Sequence, residues 1–240
     1  MIKIENLSKS YNKGSVKAVD SLNLHVKPGE IFGFLGPNGA GKTTTIKMII
    51  GLLNPDSGSV VINGYDNRKE AIEAKRSIGY VPDNPDIYER LTGTEYLNFM
   101  ADVYRVPSHI RRERIKHFLQ MFSLTDAAGD LIKSYSHGMR QKIVLTGALI
   151  HDPALWVLDE PMVGLDPKSA HLLKDLMRKH CDRGNSVFFS THVLEVAEKI
   201  CDRIGIINKG KLIAIGTLEE LRHQDQEGSL EKIFLELTEQ

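Results

Sequence analysis

The chain has 240 residues, and its 31 Lys and Arg balance 31 Asp and Glu, so the formal charge is zero. That balance excludes a nucleic-acid binder working by bulk charge, because affinity for a phosphate backbone needs concentrated Lys and Arg. The two cysteines, Cys181 and Cys201, lack disulfide-framework spacing and predict reduced thiols in an intracellular protein.

The first residues, MIKIENLSKS, hold no apolar signal core, and the longest apolar patch, IKMIIGLL, is broken by Lys47, so neither a secretory leader nor a membrane span is expected. In chain order, IKIENL, LNLHV and IFGFL (31–35) read as strands, and a helix is expected from Lys42 to about Leu52. GSVVING (58–64) and IGYVP (78–82) read as further strands, the second stopped by Pro82. From Thr92 to Ile150 the pattern is helical throughout. Strands then return at ALWVLDE (154–160), SVFFSTH (186–192) and the hairpin IGIINKGKLIAIG. Between the first two of these, PKSAHLLKDLMRKHCDRG opens with Pro167 and stops at Gly184, both helix punctuation. The tail spaces Leu230, Ile233, Phe234 and Leu237 for a helix that packs back on the body.

Alternating strands and helices predict an α/β fold with a mainly parallel sheet. The expected organisation is one domain, in which an α/β core with an antiparallel β subdomain (1–91 and 151–240) carries an inserted helical subdomain (92–150).

GPNGAGKTT (36–44) fits G-x-x-x-x-G-K-[ST], directly after an apolar strand and before a helix. Glycines let successive amides curl around phosphates, and the helix start adds partial positive charge. In this pattern Gly36, Pro37, Asn38, Gly39, Ala40, Gly41, Lys42, Thr43 and Thr44 form a nucleoside triphosphate cradle. Lys42 is expected to reach the β- and γ-phosphates, and the Thr43 hydroxyl to ligate Mg²⁺.

LWVLDEP (155–161) ends an apolar strand on two acids. Asp159 sits where ligands of parallel sheets bind and is expected to hold Mg²⁺; Glu160, just beyond, is placed to polarise an attacking water. That second acid points to hydrolysis, since a kinase has no need of it there. Taken alone, His192 reads as a core or surface histidine, although a strand end beside Asp159 would let it sense the γ-phosphate. Tyr11 is equally open between core packing and stacking on a purine. Ser136 and Gly138, in SYSHGMRQK (134–142), precede a helix whose face carries Ile143, Val144, Ala148 and Leu149. Such a start is a second anion site. One P-loop already surrounds one triphosphate, so the second site is expected to serve a triphosphate held by another copy.

With these motifs in this order, the chain resembles the nucleotide-binding subunit of an ATP-binding cassette (ABC) transporter over almost its whole length. YSHGM stands at the family's L-S-G-G-Q signature, keeping Ser136 and Gly138 but carrying Tyr135, His137 and Met139 instead of Leu, Gly and Gln. Asp166 in GLDP falls in the D-loop, His192 at the switch histidine and Tyr11 at the adenine-stacking aromatic, with Val16 beside it among the nucleotide contacts. Asp83 stands where the Q-loop glutamine usually is, a charge for a neutral amide; it is expected either near the metal or turned toward the membrane partner.

The resemblance implies ATP and Mg²⁺ as cofactors. It also implies a head-to-tail pair of cassettes, identical or not, sandwiching two ATP molecules between each P-loop and the other copy's Ser136–Met139. Catalysis would then fall to Glu160, His192 and Lys42. The cassette would sit at the cytoplasmic face of the membrane on separate permease subunits, and the Tyr-Ser-x-Gly-Met signature resembles cassettes of the drug- and antibiotic-export type. A non-transport ABC ATPase acting on DNA or ribosomes, and a P-loop kinase, are the alternatives. The first usually carries insertions or basic extensions not seen here, and the signature and Glu160 speak against the second.

Overall fold

The computed structural model describes residues 1–85, 87–223 and 230–238. Strands β1 (Ile2–Tyr11) and β2 (Val16–Val26) pair antiparallel and run longer than IKIENL and LNLHV suggest. Their register shifts between Ile4 and Leu7, Leu7 and Lys9, and Lys9 and Ser10. Such bulges break the period-two alternation that marks a strand in sequence, and Asn6 (φ 47°) and Ser21 (φ 51°) take left-handed backbone beside them.

Strand β3 (Ile31–Leu35), buried at every residue, leads through the glycine loop into α1 (Lys42–Ile49). The helix stops before Leu52 because Gly51 turns left-handed (φ 70°), and the Leu52 and Leu53 amides close back on the Lys47 carbonyl. Strands β4 (Ser57–Ile62) and β5 (Tyr65–Asp66) complete a four-stranded antiparallel sheet of order β2-β1-β4-β5. Next come α2 (Ala71–Arg76), unforeseen from the sequence, and β6 (Ile78–Val81).

Three helices follow: α3 (Gly93–Val103), α4 (Ser108–Met121) and α5 (His137–Leu149). A capping box starts α3, with Thr92 and Glu95 each accepting the other's amide proton. The chain then runs through β7 (Leu155–Asp159), α6 (Pro167–Asp182), β8 (Ser186–Thr191), α7 (Leu194–Ile200), β9 (Arg203–Asn208), β10 (Lys211–Gly216), α8 (Leu218–His223) and α9 (Leu230–Thr238). The second sheet has the order β10-β9-β3-β8-β7-β6, parallel except for the β9–β10 hairpin at its edge.

Helix α1 lies between the sheets. Its Ile46, Met48 and Ile49 share a core with Ile2, Leu22 and Val60 of the first sheet and Phe34, Val157 and Phe188 of the second. On the opposite face, Trp156, Leu158 and Phe189 pack with Leu97, Ile143 and Leu173 of α3, α5 and α6. A third cluster joins Leu35, Ile204 and Ile206 to Ala197, Leu221 and Leu230. Leu230 and Ile233 of the tail are buried and Phe234 packs beside them, while the Leu237 side chain lies outside the described residues.

The sequence marks α5 as amphipathic, but Leu145, Thr146 and Gly147 are buried along with Ile143, Val144, Ala148 and Leu149. The helix is enclosed between α3, α4 and β6, so its second half has no solvent face. Cys181 and Cys201 are free, the first buried and the second partly so, and burial pushes the Cys181 thiol up to about 12.

Two histidines, His180 buried and His151 partly so, make this packing sensitive to acid. His151 stacks on Tyr104 with ring centroids 3.5 Å apart and has Nε2 3.0 Å from the Ile78 carbonyl; His180 sits edge-on to Trp156. Burial first, then the cations Arg114 and Arg183 respectively, lower both imidazoles from 6.5 to about 4. The unfolded chain therefore binds more protons between those values, and stability falls as pH drops from 6.5 toward 4, by at most about 1.4 kcal/mol per pH unit per histidine. Denaturation midpoints measured across this range should fall, and His151→Phe, which keeps the stack but cannot titrate, should flatten the slope.

Candidate nucleotide site

Ligands of parallel sheets bind beyond the carboxyl ends of the strands. Three neighbouring strands set this site: β3 runs into the glycine loop, β7 ends on Asp159, and β8 ends just before His192. Pro37, Asn38, Gly39, Gly41, Lys42, Thr43 and Thr44 line a cleft of about 210 Å³ together with Asp83, Asp159, Glu160 and Ala18. Gly36 lends its carbonyl to Lys42, and Ala40 is buried, its carbonyl accepting from the Gly210 amide. At Gly41, φ is 109° and a Cβ would stand 2.3 Å from the Ala18 carbonyl oxygen, so only glycine fits where the loop enters α1.

Lys42 Nζ donates to the Gly36 carbonyl at 2.6 Å and the Pro37 carbonyl at 3.3 Å, and lies 3.6 Å from Glu160 Oε1. The Thr43 hydroxyl donates to Asp159 Oδ2 at 3.0 Å. Glu160 follows β7 with φ 47°, a left-handed conformation that costs a non-glycine residue roughly 1–3 kcal/mol. This turn carries its carboxylate between Lys42 and His192, whose Nδ1 is 3.0 Å from Glu160 Oε1. The Lys42 and Glu160 side chains are only 7% and 13% exposed, against 52% for His192, so the Lys42–Glu160 pair is sheltered and the histidine reaches in from solvent.

Asp83 is exposed but faces the same cleft; partial loss of water, then repulsion from Asp159 and Glu160, raises its carboxyl above the usual range. Burial, followed by the charges of Asp159 and Asp83, pushes the neighbouring Tyr80 up to about 12.

The remaining predicted residues lie elsewhere. Tyr11 and Val16 face each other across the β1–β2 turn, 41% and 50% exposed, outside the residues lining the cleft. Ser136, His137, Gly138 and Met139 are also not among the residues lining it, although His137 is near enough for its charge to act on Asp83. Ser136 caps α5, its Oγ accepting from the Met139 amide at 3.3 Å; Gly138 lies inside the first turn rather than before it. Tyr135 anchors this helix start from below, buried, with its hydroxyl donating to the Ala127 carbonyl at 2.6 Å. His137 packs so closely on Gly164 (φ 77°) that a Cβ there would overlap its ring, and Lys142 Nζ donates to Asp166 at 3.1 Å. Asp166 caps α6 through the Ser169 amide and hydroxyl, and these bonds with Lys142 hold its carboxyl well below the usual range.

Sequence reasoning passed over Ser190, whose hydroxyl donates to Asp159 Oδ1 and accepts from the Glu160 amide at 3.2 Å. The available signal was a serine near the end of a strand expected beside the Asp159 strand. A larger cavity of about 730 Å³ lies between α4 and α6, away from all of these residues.

Known proteins resemble this chain in sequence and in fold. The family model described as ABC transporter matches residues 19–163. The linearmycin resistance ATP-binding protein LnrL of Bacillus subtilis is 41% identical over 221 residues, spanning 92% of this chain and 70% of that protein. Among solved structures, an ATP-binding subunit of an ABC transporter superposes with a TM-score of 0.94 at 34% identity, covering 99% of both chains. A dimeric ATP-binding cassette in a post-hydrolysis state, bound to ADP and Pi, gives 0.81 at 26% identity over 90% of this chain and 98% of that one.

Because Lys42 is the cation at the centre of the cleft, Lys42→Ala should weaken nucleoside triphosphate binding by roughly 100-fold, the equivalent of one charge-assisted contact of about 2–3 kcal/mol. Equilibrium titration with a fluorescent ATP analogue measures this directly.

Proposed function

This chain belongs to the ABC transporter family, as an ATP-hydrolysing cassette, and from that premise we propose how its own residues do the work. The observation that carries the reading is the position of Glu160, held between Lys42 and His192 at the cleft and next to the Thr43–Asp159 pair. Lys42 and the backbone N–H groups of residues 38–44 take the phosphates, and the negative charge that arrives draws the Lys42 ammonium away from Glu160. The freed carboxylate orients water and accepts its proton, while His192 keeps the carboxylate in place and donates toward the γ-phosphate. Tyr11 and Val16, exposed side by side, offer a platform for the adenine.

The donors of the cleft suit a hard cation. The Thr43 hydroxyl and the Asp159 and Asp83 carboxylates all supply oxygen, the ligand type Mg²⁺ takes. Among the described residues no group of three His, Cys, Asp or Glu side chains is arranged to hold a metal alone; Mg²⁺ is commonly held by one or two carboxylates with phosphate oxygens. We assign Thr43 and Asp159 to it, with Asp83 on the cleft side rather than at a membrane partner. Bound there, Mg²⁺ neutralises phosphate charge.

Ser136–Met139 do not line their own cleft, and Ser136 and His137 are exposed, which supports a head-to-tail pair in which these residues of one cassette close on the nucleotide of the other. The dimeric neighbour with ADP and Pi supports a pair of cassettes. Residues 92–150 act as the subdomain that passes closure to permease subunits. No described helix is long and apolar enough to cross a membrane. Permease subunits would hold the cassette at the cytoplasmic face. The resistance function of the Bacillus relative favours export as the direction.

Glu160→Gln keeps size and hydrogen bonding but removes the base, so turnover should fall roughly 10²–10⁴-fold while ATP still binds. The variant should accumulate as an ATP-bound dimer on gel filtration; normal turnover would move the role to another residue.

Gly138→Asp tests the head-to-tail arrangement. A Cβ at Gly138 meets only the Gly164 carbonyl, at 3.2 Å, so the variant should fold after a small local shift. Its carboxylate would face the other copy's γ-phosphate, sparing ATP binding by the monomer and blocking dimerisation and hydrolysis. Mixed dimers of Gly138→Asp with Lys42→Ala gather both lesions in one composite site and leave the other intact, so they should retain activity. Loss of ATP binding by the Gly138→Asp monomer would instead set the signature beside its own nucleotide.

A further inference from the structure

We infer that Ser190 is a positioning residue for hydrolysis, acting through both carboxylates at the end of β7; the inference rests on the reading of Glu160 as the base. Ser190 is fully buried, and the parallel register of β7 and β8 sets it directly opposite Asp159. A serine hydroxyl has one proton to give and lone pairs to accept with. Here the proton goes to Asp159 Oδ1 and a lone pair takes the Glu160 amide at 3.2 Å.

Each contact fixes a different thing. Asp159 has its other oxygen, Oδ2, on the Thr43 hydroxyl, so Ser190 and Thr43 together grip both ends of the carboxylate and set its plane. Glu160 has left-handed backbone, φ 47°, which a non-glycine residue keeps only where its surroundings hold it. The Ser190 hydroxyl supplies that hold at the Glu160 amide, and this turn is what aims the Glu160 side chain between Lys42 and His192. Ser190 does not line the cleft and so touches neither phosphate nor water. Its effect should therefore appear in turnover and not in nucleotide binding.

The test compares Ser190→Ala, Ser190→Thr and Glu160→Gln for kcat and KM, with ATP-analogue affinity measured separately and folding checked by melting temperature. Partners that orient reacting groups typically contribute about 10–100-fold, so Ser190→Ala should lose kcat by that factor while KM and affinity stay within about 3-fold. Ser190→Thr, which restores the hydroxyl, should recover most of the loss. If the serine acts through the base, adding Ser190→Ala to Glu160→Gln should cost little further, a non-additivity expected of residues working as a unit. Should Ser190→Ala fail to fold, Ser190→Cys fills the same space with a weak donor, and the same kcat loss at unchanged affinity is expected of it.

An unchanged kcat in a folded Ser190→Ala or Ser190→Cys overturns the inference, as does a loss confined to ATP affinity. Normal turnover by Glu160→Gln removes instead the reading of Glu160 as base. Normal turnover by Ser190→Ala beside an inactive Glu160→Gln removes only the role of Ser190.

Discussion

One hydrogen bond joins the two halves of the site: the Thr43 hydroxyl, at the start of α1, donates to Asp159 at the end of β7 across 116 residues of chain. The geometry that permits it is the order of the parallel strands, with β8 between β3 and β7. All three strands end at the same edge of the sheet, so the glycine loop, the two acids and His192 meet without any segment leaving its regular path. The buried faces on either side enforce that order. Phe34, Val157 and Phe188 pack toward α1, and Trp156, Leu158 and Phe189 toward the helices opposite, so slipping one strand by a residue would turn Asp159 toward Trp156's side of the sheet.

What the sequence made legible follows from how local each signal is. The glycine loop, the apolar strand ending on Asp159 and Glu160, and the punctuated helix from Pro167 are contiguous patterns whose chemistry lies within a few residues, and the α/β class followed from their alternation. Signals spread across partners were not legible. The bulges of β1 and β2 depend on pairing and broke the alternation that would have revealed the full strands. Helices α2 and α7 are short and half-exposed, with little apolar periodicity to mark them. The enclosure of α5 depends on which elements surround it, and Ser190 gains its meaning from a register that no single segment contains.

The departures from the family pattern sort by surroundings. Tyr135 is buried and bonded, a large side chain used as an anchor under the signature. His137 is exposed and fills the space that Gly164 leaves open. Asp83 adds a third carboxylate to a cleft whose one lysine is already engaged by Glu160. The first two leave Ser136 and Gly138 at the helix start, whereas the third changes the charge presented to a nucleotide.

The enclosure of α5 also has a mechanical meaning. The exposed tip at Ser136 and His137 belongs to a helix whose base is wedged among buried side chains and whose flanks are tied by Arg140 to Glu89, by Lys142 to Asp166 and by Tyr135 to Ala127. Close-packed interiors yield little under load. Such a helix behaves as a stiff post rather than a spring, so a displacement at its tip reaches α3, α4 and the β6 edge almost undiminished, and the segment around Asp166 travels with it.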